Sequence, residues 1–287
     1  MIRNMNDGTQ VEPYLRRDLN LGTLADLPEW SSAPKAEGKA LLEAIKEAGF
    51  KGVQGGDPDL CRDVGLACTA GGRINDVGEA HDLAKRLKSD GYEAATVHVG
   101  WGIEDDATVD GLLEDIINAS VKYDFPLYVE THRATITQDI WRTVEFVKRH
   151  PQIRFNGDFS HWYTGLELPY GSIEDKFEFM QPVLDRVRFL HGRIGNSSHM
   201  QMKFDGTEEF VVHFETMWIR SMQGFLKTAQ PGDFMCFNPE LLPSGNNYAR
   251  LFEVKNGDWR EESDRWQQAL LMSDIAEACF EEARCTL

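Results

Sequence analysis

The sequence predicts a single (β/α)₈ barrel over residues 1–287, and three observations carry that reading. Short β-rich runs alternate with amphipathic helical stretches along the whole chain, eight such runs can be counted, and no linker rich in Pro, Gly or Ser divides them. A helix after most strands implies right-handed crossovers and a parallel sheet. Eight strands in 287 residues suit a closed barrel better than an open doubly wound sheet. No G-x-G-x-x-G follows the first run, so a dinucleotide-binding fold loses its main support.

The runs lie at 19–24, 52–54, 66–69, 94–99, 126–130, 153–157, 187–191 and 234–237, the first two being the least regular. The first helical stretch, 36–48, carries Leu41, Leu42, Ile45 and Ala48 at helical spacing and is closed by Gly49. Stretches 76–89, 109–122, 138–149, 172–184, 207–228 and 261–283 repeat the pattern between and after the later strands. Long polar segments at 195–210 and 165–171 follow the late strands, where such loops often close over a substrate. They are expected to set substrate choice.

Hydrophobic content of 41% and charged content of 27% are ordinary for a globular chain that buries a sizeable core. The cysteines Cys61, Cys68, Cys236, Cys279 and Cys285 are odd in number and lack CxxC spacing, which points to reduced thiols. The opening Met1 to Gly8 is polar, without the apolar core of a signal peptide, and no stretch has the length of a membrane span. A soluble, cytoplasmic protein is expected. With 30 basic against 47 acidic residues, the net charge of −17 argues against nucleic-acid or anionic-membrane partners.

In a barrel, chemistry gathers where strands end. The fifth run ends Val129-Glu130-Thr131-His132-Arg133, and the sixth leads into Gly157-Asp158-Phe159-Ser160-His161-Trp162. The seventh ends Leu190-His191-Gly192-Arg193, and the eighth Asn238-Pro239-Glu240. A Glu alone at a strand end is ordinarily a solvated rim residue, and a lone His in an apolar strand a hydrogen-bonded core residue. Four consecutive strands, about 4.8 Å apart, each delivering one such group to a common rim are another matter. They predict that Glu130, Asp158, His191 and Glu240 hold one divalent cation. Carboxylates with one imidazole and no thiolate suit Mn²⁺ first, with Mg²⁺, Co²⁺ or Zn²⁺ as alternatives.

His132 lies two residues beyond Glu130, on the same face if the strand continues. It is an additional acid or base, unless it merely donates to a loop carbonyl. His98 ends the fourth strand and, with Trp101, offers part of an aromatic platform for a substrate's C–H groups; Trp162 invites the same reading, and core packing is the alternative for each. Gln54 and Arg73 close early strands within reach of substrate hydroxyls. The glycines at 55–56 and 71–72 suggest a phosphate cradle but lack its Lys and Ser/Thr signature, so an unphosphorylated substrate is expected.

The order Glu, Asp-x-x-His, His-x-Arg, Asn-Pro-Glu, at Glu130, Asp158 to His161, His191 to Arg193 and Asn238 to Glu240, resembles the xylose isomerase-like TIM-barrel superfamily. That group contains ketose 3-epimerases, sugar isomerases, inosose-processing enzymes and endonuclease four. The resemblance runs from about residue 18 to 283 and is specific for the superfamily rather than for a substrate. It implies the same four metal ligands, with His161 and Arg193 binding substrate oxygens. It also implies that Glu130 and Glu240 remove and return a proton alpha to a carbonyl, through an enediolate. Glu130-Thr131-His132 further resembles the catalytic subunits of C-glycoside deglycosylases, which eliminate from 3-keto sugar conjugates, and this would make His132 catalytic.

A sugar isomerase or epimerase is therefore expected, with a lyase or dehydratase as the alternative. An endonuclease would need further histidines, absent from Leu66 to Arg73, and a non-catalytic sugar-binding subunit has no need of flanking carboxylates. Barrels of this kind often pair through their helices, so a homo-oligomer is an open expectation.

Overall fold

The computed structural model describes residues 1–255 and 257–287. Eight parallel strands form the barrel: β1 (Tyr14–Asn20), β2 (Gly52–Gln54), β3 (Ala67–Ile74), β4 (Ala95–Val99), β5 (Leu127–Glu130), β6 (Phe155–Gly157), β7 (Val187–Gly192) and β8 (Asp233–Pro239). Neighbours pair in chain order, and β8 pairs with both β7 and β1, which closes the cylinder. A two-residue segment, Met5–Asn6, runs antiparallel to the start of β8 and seals the bottom rim. Every residue of β7 and β8 is buried, as a parallel sheet covered by helices requires.

The surrounding helices are α1 (Gly38–Glu47), α2 (Pro58–Val64), α3 (Glu79–Asp90), α4 (Asp106–Tyr123), α5 (Ile140–Arg149), α6 (Ser160–Gly165), α7 (Ile173–Leu184), α8 (Glu209–Leu226) and α9 (Arg265–Cys285). Their starts are written locally: the side chains of Asp57, Asp105, Asp139, Ser172 and Asp264 each accept a hydrogen bond from a first-turn backbone N–H. The inward faces pack aliphatic and aromatic residues such as Leu112, Ile116, Val144, Phe214 and Trp218 against the strands. Among the described residues no helix is long and apolar enough to cross a membrane.

Strands four, five, seven and eight stand within one or two residues of their sequence positions. The first does not: β1 is Tyr14–Asn20, and Leu21–Leu24 is a 3₁₀ turn. The cause is a buried charge pair. Arg16 and Asp18 meet at 2.8 Å with 7% and 0% of their side chains exposed, so half the strand reads as polar. β3 is also longer than its apolar run, because its first half pairs with β2 and its second, through Gly71 and Gly72, with β4. A Cβ on Gly72 would stand 2.8 Å from a Leu83 methyl, so the glycine serves close helix packing. This corrects the idea of a phosphate-cradling loop at 71–72, since those residues lie inside a strand ladder.

Two short helices, α2 and α6, and an exposed hairpin of Leu251–Lys255 and Asp258–Glu261 were not predicted. The last helix accordingly begins at Arg265 rather than 261. Asp57-Pro58, a capping residue before proline at the first helical position, was the legible signal for α2.

Candidate metal centre

Glu130 is the last residue of β5, Asp158 and Glu240 each follow the last residue of β6 and β8, and His191 sits within β7. One donor atom from each of the four lies within 4.8 Å of the others. Glu130, Asp158 and His191 are buried, and Glu240 is partly open to the cleft. The His191 Nδ1 atom stands 3.3 Å from a Glu130 oxygen and 3.4 Å from a Glu240 oxygen, yet hydrogen-bonds to neither.

What fixes that imidazole is Gln54, from the far side of the barrel. Its Nε2 donates to the Ala70 carbonyl at 3.0 Å and to Thr96 Oγ1 at 2.9 Å. A carbonyl only accepts, so the amide orientation is pinned and Oε1 faces His191 Nε2 at 2.7 Å. Nε2 must therefore carry the proton, which leaves the neutral ring with a bare Nδ1 lone pair aimed between two carboxylates. A buried, unpartnered nitrogen beside paired carboxylate oxygens is the donor set of a hard or borderline divalent cation, and these residues fit one.

Without a cation, a proton takes the central place. Burial pushes His191 down, but the Glu240 and Glu130 carboxylates overcome it and raise the imidazole to about 9. Burial would raise Glu130, and the His191 and His98 imidazoles instead hold it well below the carboxylate range. Asp158 is likewise depressed against burial, by the Arg193 guanidinium and then by His161.

The support extends one residue pair down each strand. Asn156, two before Asp158, donates to Glu130 Oε2 at 3.0 Å. Asn238, two before Glu240, approaches Gln54 Oε1 at 3.4 Å. Asn20, at the end of β1, donates to Gln54 Oε1 at 2.9 Å and to Glu240 Oε1 at 3.0 Å. Asn156 and Asn238 were not predicted as site residues, although their spacing of two from Asp158 and Glu240 was the signal that places them on the ligands' face. Asn20 was missed because the first strand was misplaced.

Other predicted site residues divide. His98 lines the cleft and its Nε2 lies 3.2 Å from Glu130 Oε1. His132 sits between His98 and His161, with tilted rings whose centroids lie 4.1 and 3.7 Å away, and its Nδ1 donates to the Arg133 carbonyl, as the alternative reading had it. Burial first, then His161 and His98, lower it to about 3, so it is a neutral imidazole at physiological pH. His161 is buried, with Nε2 3.4 Å from Asp158 and Nδ1 without a partner. Arg193 donates to Asp158 Oδ2 at 2.9 Å, to the Glu240 carbonyl at 2.9 Å and to Glu240 Oε2. Its guanidinium lies 4.5 Å from the Tyr248 ring centre, a contact the sequence did not announce. Arg193 thus clamps two ligand carboxylates and contributes nothing to the cleft wall.

Trp162 requires a correction. It is fully buried and donates its indole N–H to the Thr137 carbonyl at 2.7 Å, so it packs the core and offers no platform to a sugar. Trp101 is 57% exposed at the rim, beneath the Arg73 guanidinium at 4.2 Å. Gln54 borders the cleft but spends its amide on positioning.

The cleft above the four ligands has a volume of about 260 Å³ and is walled by Asn20, Gly55, Gly71, His98, Glu130 and Glu240 among others. That is slightly below the roughly 300–1,000 Å³ of drug-sized ligand sites and suits a small metabolite.

The strands and helices define the chain as a (β/α)₈ barrel, similar in fold to solved xylose isomerase-like barrels. Neither a protein-family model nor a curated protein matches the sequence. Among solved structures, a xylose isomerase-like TIM barrel protein from Mycobacterium smegmatis in complex with magnesium is similar, at 13% identity and a TM-score of 0.52, over 95% of this chain and 98% of that one. A D-tagatose 3-epimerase-like protein is similar at 12% identity and a TM-score of 0.53, over 93% and 99%. The probable 3-DHS dehydratase AsbF of petrobactin synthesis from Bacillus anthracis is similar at 13% identity and a TM-score of 0.52, over 93% and 97%. Likeness at these identities is a likeness of fold.

Proposed function

We propose that the protein is a divalent-metal-dependent isomerase or epimerase acting on an unphosphorylated ketose, keto-sugar or inosose by proton abstraction alpha to a carbonyl. The observation that carries this is the bare Nδ1 of His191 converging with the Glu130, Asp158 and Glu240 carboxylates, three of the four residues lining a small cleft. A bound cation, Mn²⁺ by preference, supplies polarisation of the substrate carbonyl and counter-charge for the enediolate. Glu130 and Glu240 both border the cleft, so each has access to a carbon-bound proton. Asn156 and His98 orient the first of them, Asn20 and Arg193 the second. The solved epimerase-like and magnesium-bound barrels support the reading through their shared fold.

A second reading is favoured by one observation. His132 stands between the His98 and His161 imidazoles with Nδ1 donating to the Arg133 carbonyl, so Nε2 is the nitrogen left to act on a leaving group, as a weak base because burial lowers the ring to about 3. The reaction would then be a lyase step or dehydration, which also begins with alpha-proton removal, and AsbF shows that a barrel of this fold is described as a dehydratase.

Proton NMR of the Mn²⁺-loaded protein's products, formed in D₂O from a panel of ketoses, inososes and 3-keto glycosides, tests both. Deuterium entering one alpha carbon with mass otherwise retained supports the isomerase. Loss of water or an aglycone, abolished in His132→Ala, supports the lyase. Glu240→Gln should stop either reaction, and exchange that survives it would contradict the role given to Glu240.

A further inference from the structure

The loop after β5 presents more than His132. Its hydroxyls tie it down: Thr137 Oγ1 donates to the Glu130 carbonyl at 2.6 Å, and Thr135 Oγ1 donates to the His132 carbonyl at 2.7 Å. The His132 N–H in turn donates to Thr137 Oγ1 at 3.0 Å. Ala134 takes a left-handed φ of +54°, a conformation that costs a residue bearing a Cβ and persists only where the surroundings enforce it. The outcome is that Arg133 is displayed on a braced loop, exposed, with no hydrogen bond or ion pair to its guanidinium among the described residues. It lies 5.3 Å from the Tyr248 ring centre, and Tyr248 also covers Arg193.

Arg133 and Tyr248 share a second cavity of about 380 Å³ with Arg250, Ser198, His199 and Asn247. No carboxylate lines it among the described residues, although the protein carries a net charge of −17. Arg250 has one acidic partner, Glu262 at 3.2 Å, whereas Arg133 has none. Two guanidiniums beside hydroxyl and amide groups match the donors that recognise an oxyanion, and Arg fits a carboxylate or phosphate two-pronged. The spot is also close to the chemistry. Arg133 lies three positions after Glu130, so their Cα atoms are at most about 11 Å apart.

We propose that this cavity is an oxyanion subsite that holds a carboxylate or phosphate group of the substrate whose carbonyl end occupies the metal cleft. The inference rests on the functional reading above and narrows it to acidic substrates, a sugar acid or carboxylated cyclitol if that substrate is unphosphorylated.

The test is phenylglyoxal labelling of the Mn²⁺-loaded protein, with the rate at Arg133 read by peptide mass spectrometry. Acetate and inorganic phosphate are compared with chloride at equal ionic strength, and exposed Arg260 on the hairpin is the internal reference. Protection follows 1 + [L]/Kd, so an anion at ten times its Kd slows Arg133 by about tenfold. The proposal expects such slowing at Arg133 and none at Arg260. Slowing by acetate identifies a carboxylate subsite, and slowing by phosphate alone identifies a phosphate subsite and removes the unphosphorylated assignment. Equal rates in all three salts would overturn the proposal. So would protection that disappears with EDTA, because the anion would then be on the metal, and the metal-centre reading would stand without the subsite.

Discussion

Gln54→Leu isolates the residue that decides how His191 presents itself. The substitution keeps the volume close and removes the Oε1 acceptor that holds the His191 Nε2 proton at 2.7 Å. The ring then loses the partner that fixes both its rotation and its tautomer, and Nδ1 is no longer committed to the carboxylates. Partners of this kind to a metal-bound His are worth about 10–100-fold in metal affinity, or about 1.4–2.7 kcal/mol. Calorimetric titration of Mn²⁺ into the two proteins should show that loss. Thr96→Val is the control. It removes a partner of Gln54 on the amide-nitrogen side while the Ala70 carbonyl still pins the orientation, so affinity should change little. A folded Gln54→Leu protein with wild-type Mn²⁺ affinity would refute the argument that Nδ1 is the ligand atom.

Metal binding should release a proton, because His191 titrates at about 9 in the metal-free protein and must be neutral to bind. Calorimetry in buffers of different ionisation enthalpy should find close to one proton released per Mn²⁺ near neutral pH, fading above the raised pKa. The sign for stability follows. A pKa raised from 6.5 stabilises the metal-free fold fully below 6.5 and is lost as pH rises through about 9, so its Tm should fall across that window unless Mn²⁺ is present. Arg193→Met strands the buried Asp158 charge and frees the half-buried Glu240, at a cost of about 3–5 kcal/mol in the metal-free protein. Urea unfolding should show that loss, largely recovered when Mn²⁺ is added. Trp162→Ala should cost about 3–5 kcal/mol by cavity formation with or without metal, and a near-neutral result would return Trp162 to the site.

The late half of the barrel was legible because β5 to β8 are mostly apolar and each delivers one carboxylate or imidazole at or just beyond its end. The early half was less so for a physical reason. β1 buries the Arg16–Asp18 pair and β3 carries Gly71 and Gly72 through its centre, so neither looks like a buried strand to a hydrophobicity search. That displacement hid Asn20, which holds Glu240 from the neighbouring strand, whereas Gln54, which holds His191 from across the barrel, closes a run read correctly at 52–54 but was taken only as a hydroxyl contact. Side-chain direction was the other limit. Trp162 neighbours a site residue in sequence, but α6 turns its indole into the core, and only the fold shows it. Tyr248 arrives from a distant loop, and no spacing in the sequence links it to Arg133 or Arg193.

The most direct test is a crystal structure of the protein grown with Mn²⁺, with anomalous data collected at the manganese edge. The account predicts one strong peak at the barrel mouth, about 2.0–2.2 Å from oxygens of Glu130, Asp158 and Glu240 and from His191 Nδ1. A peak held by other residues, coordination through His191 Nε2, or no peak at saturating Mn²⁺ would contradict it.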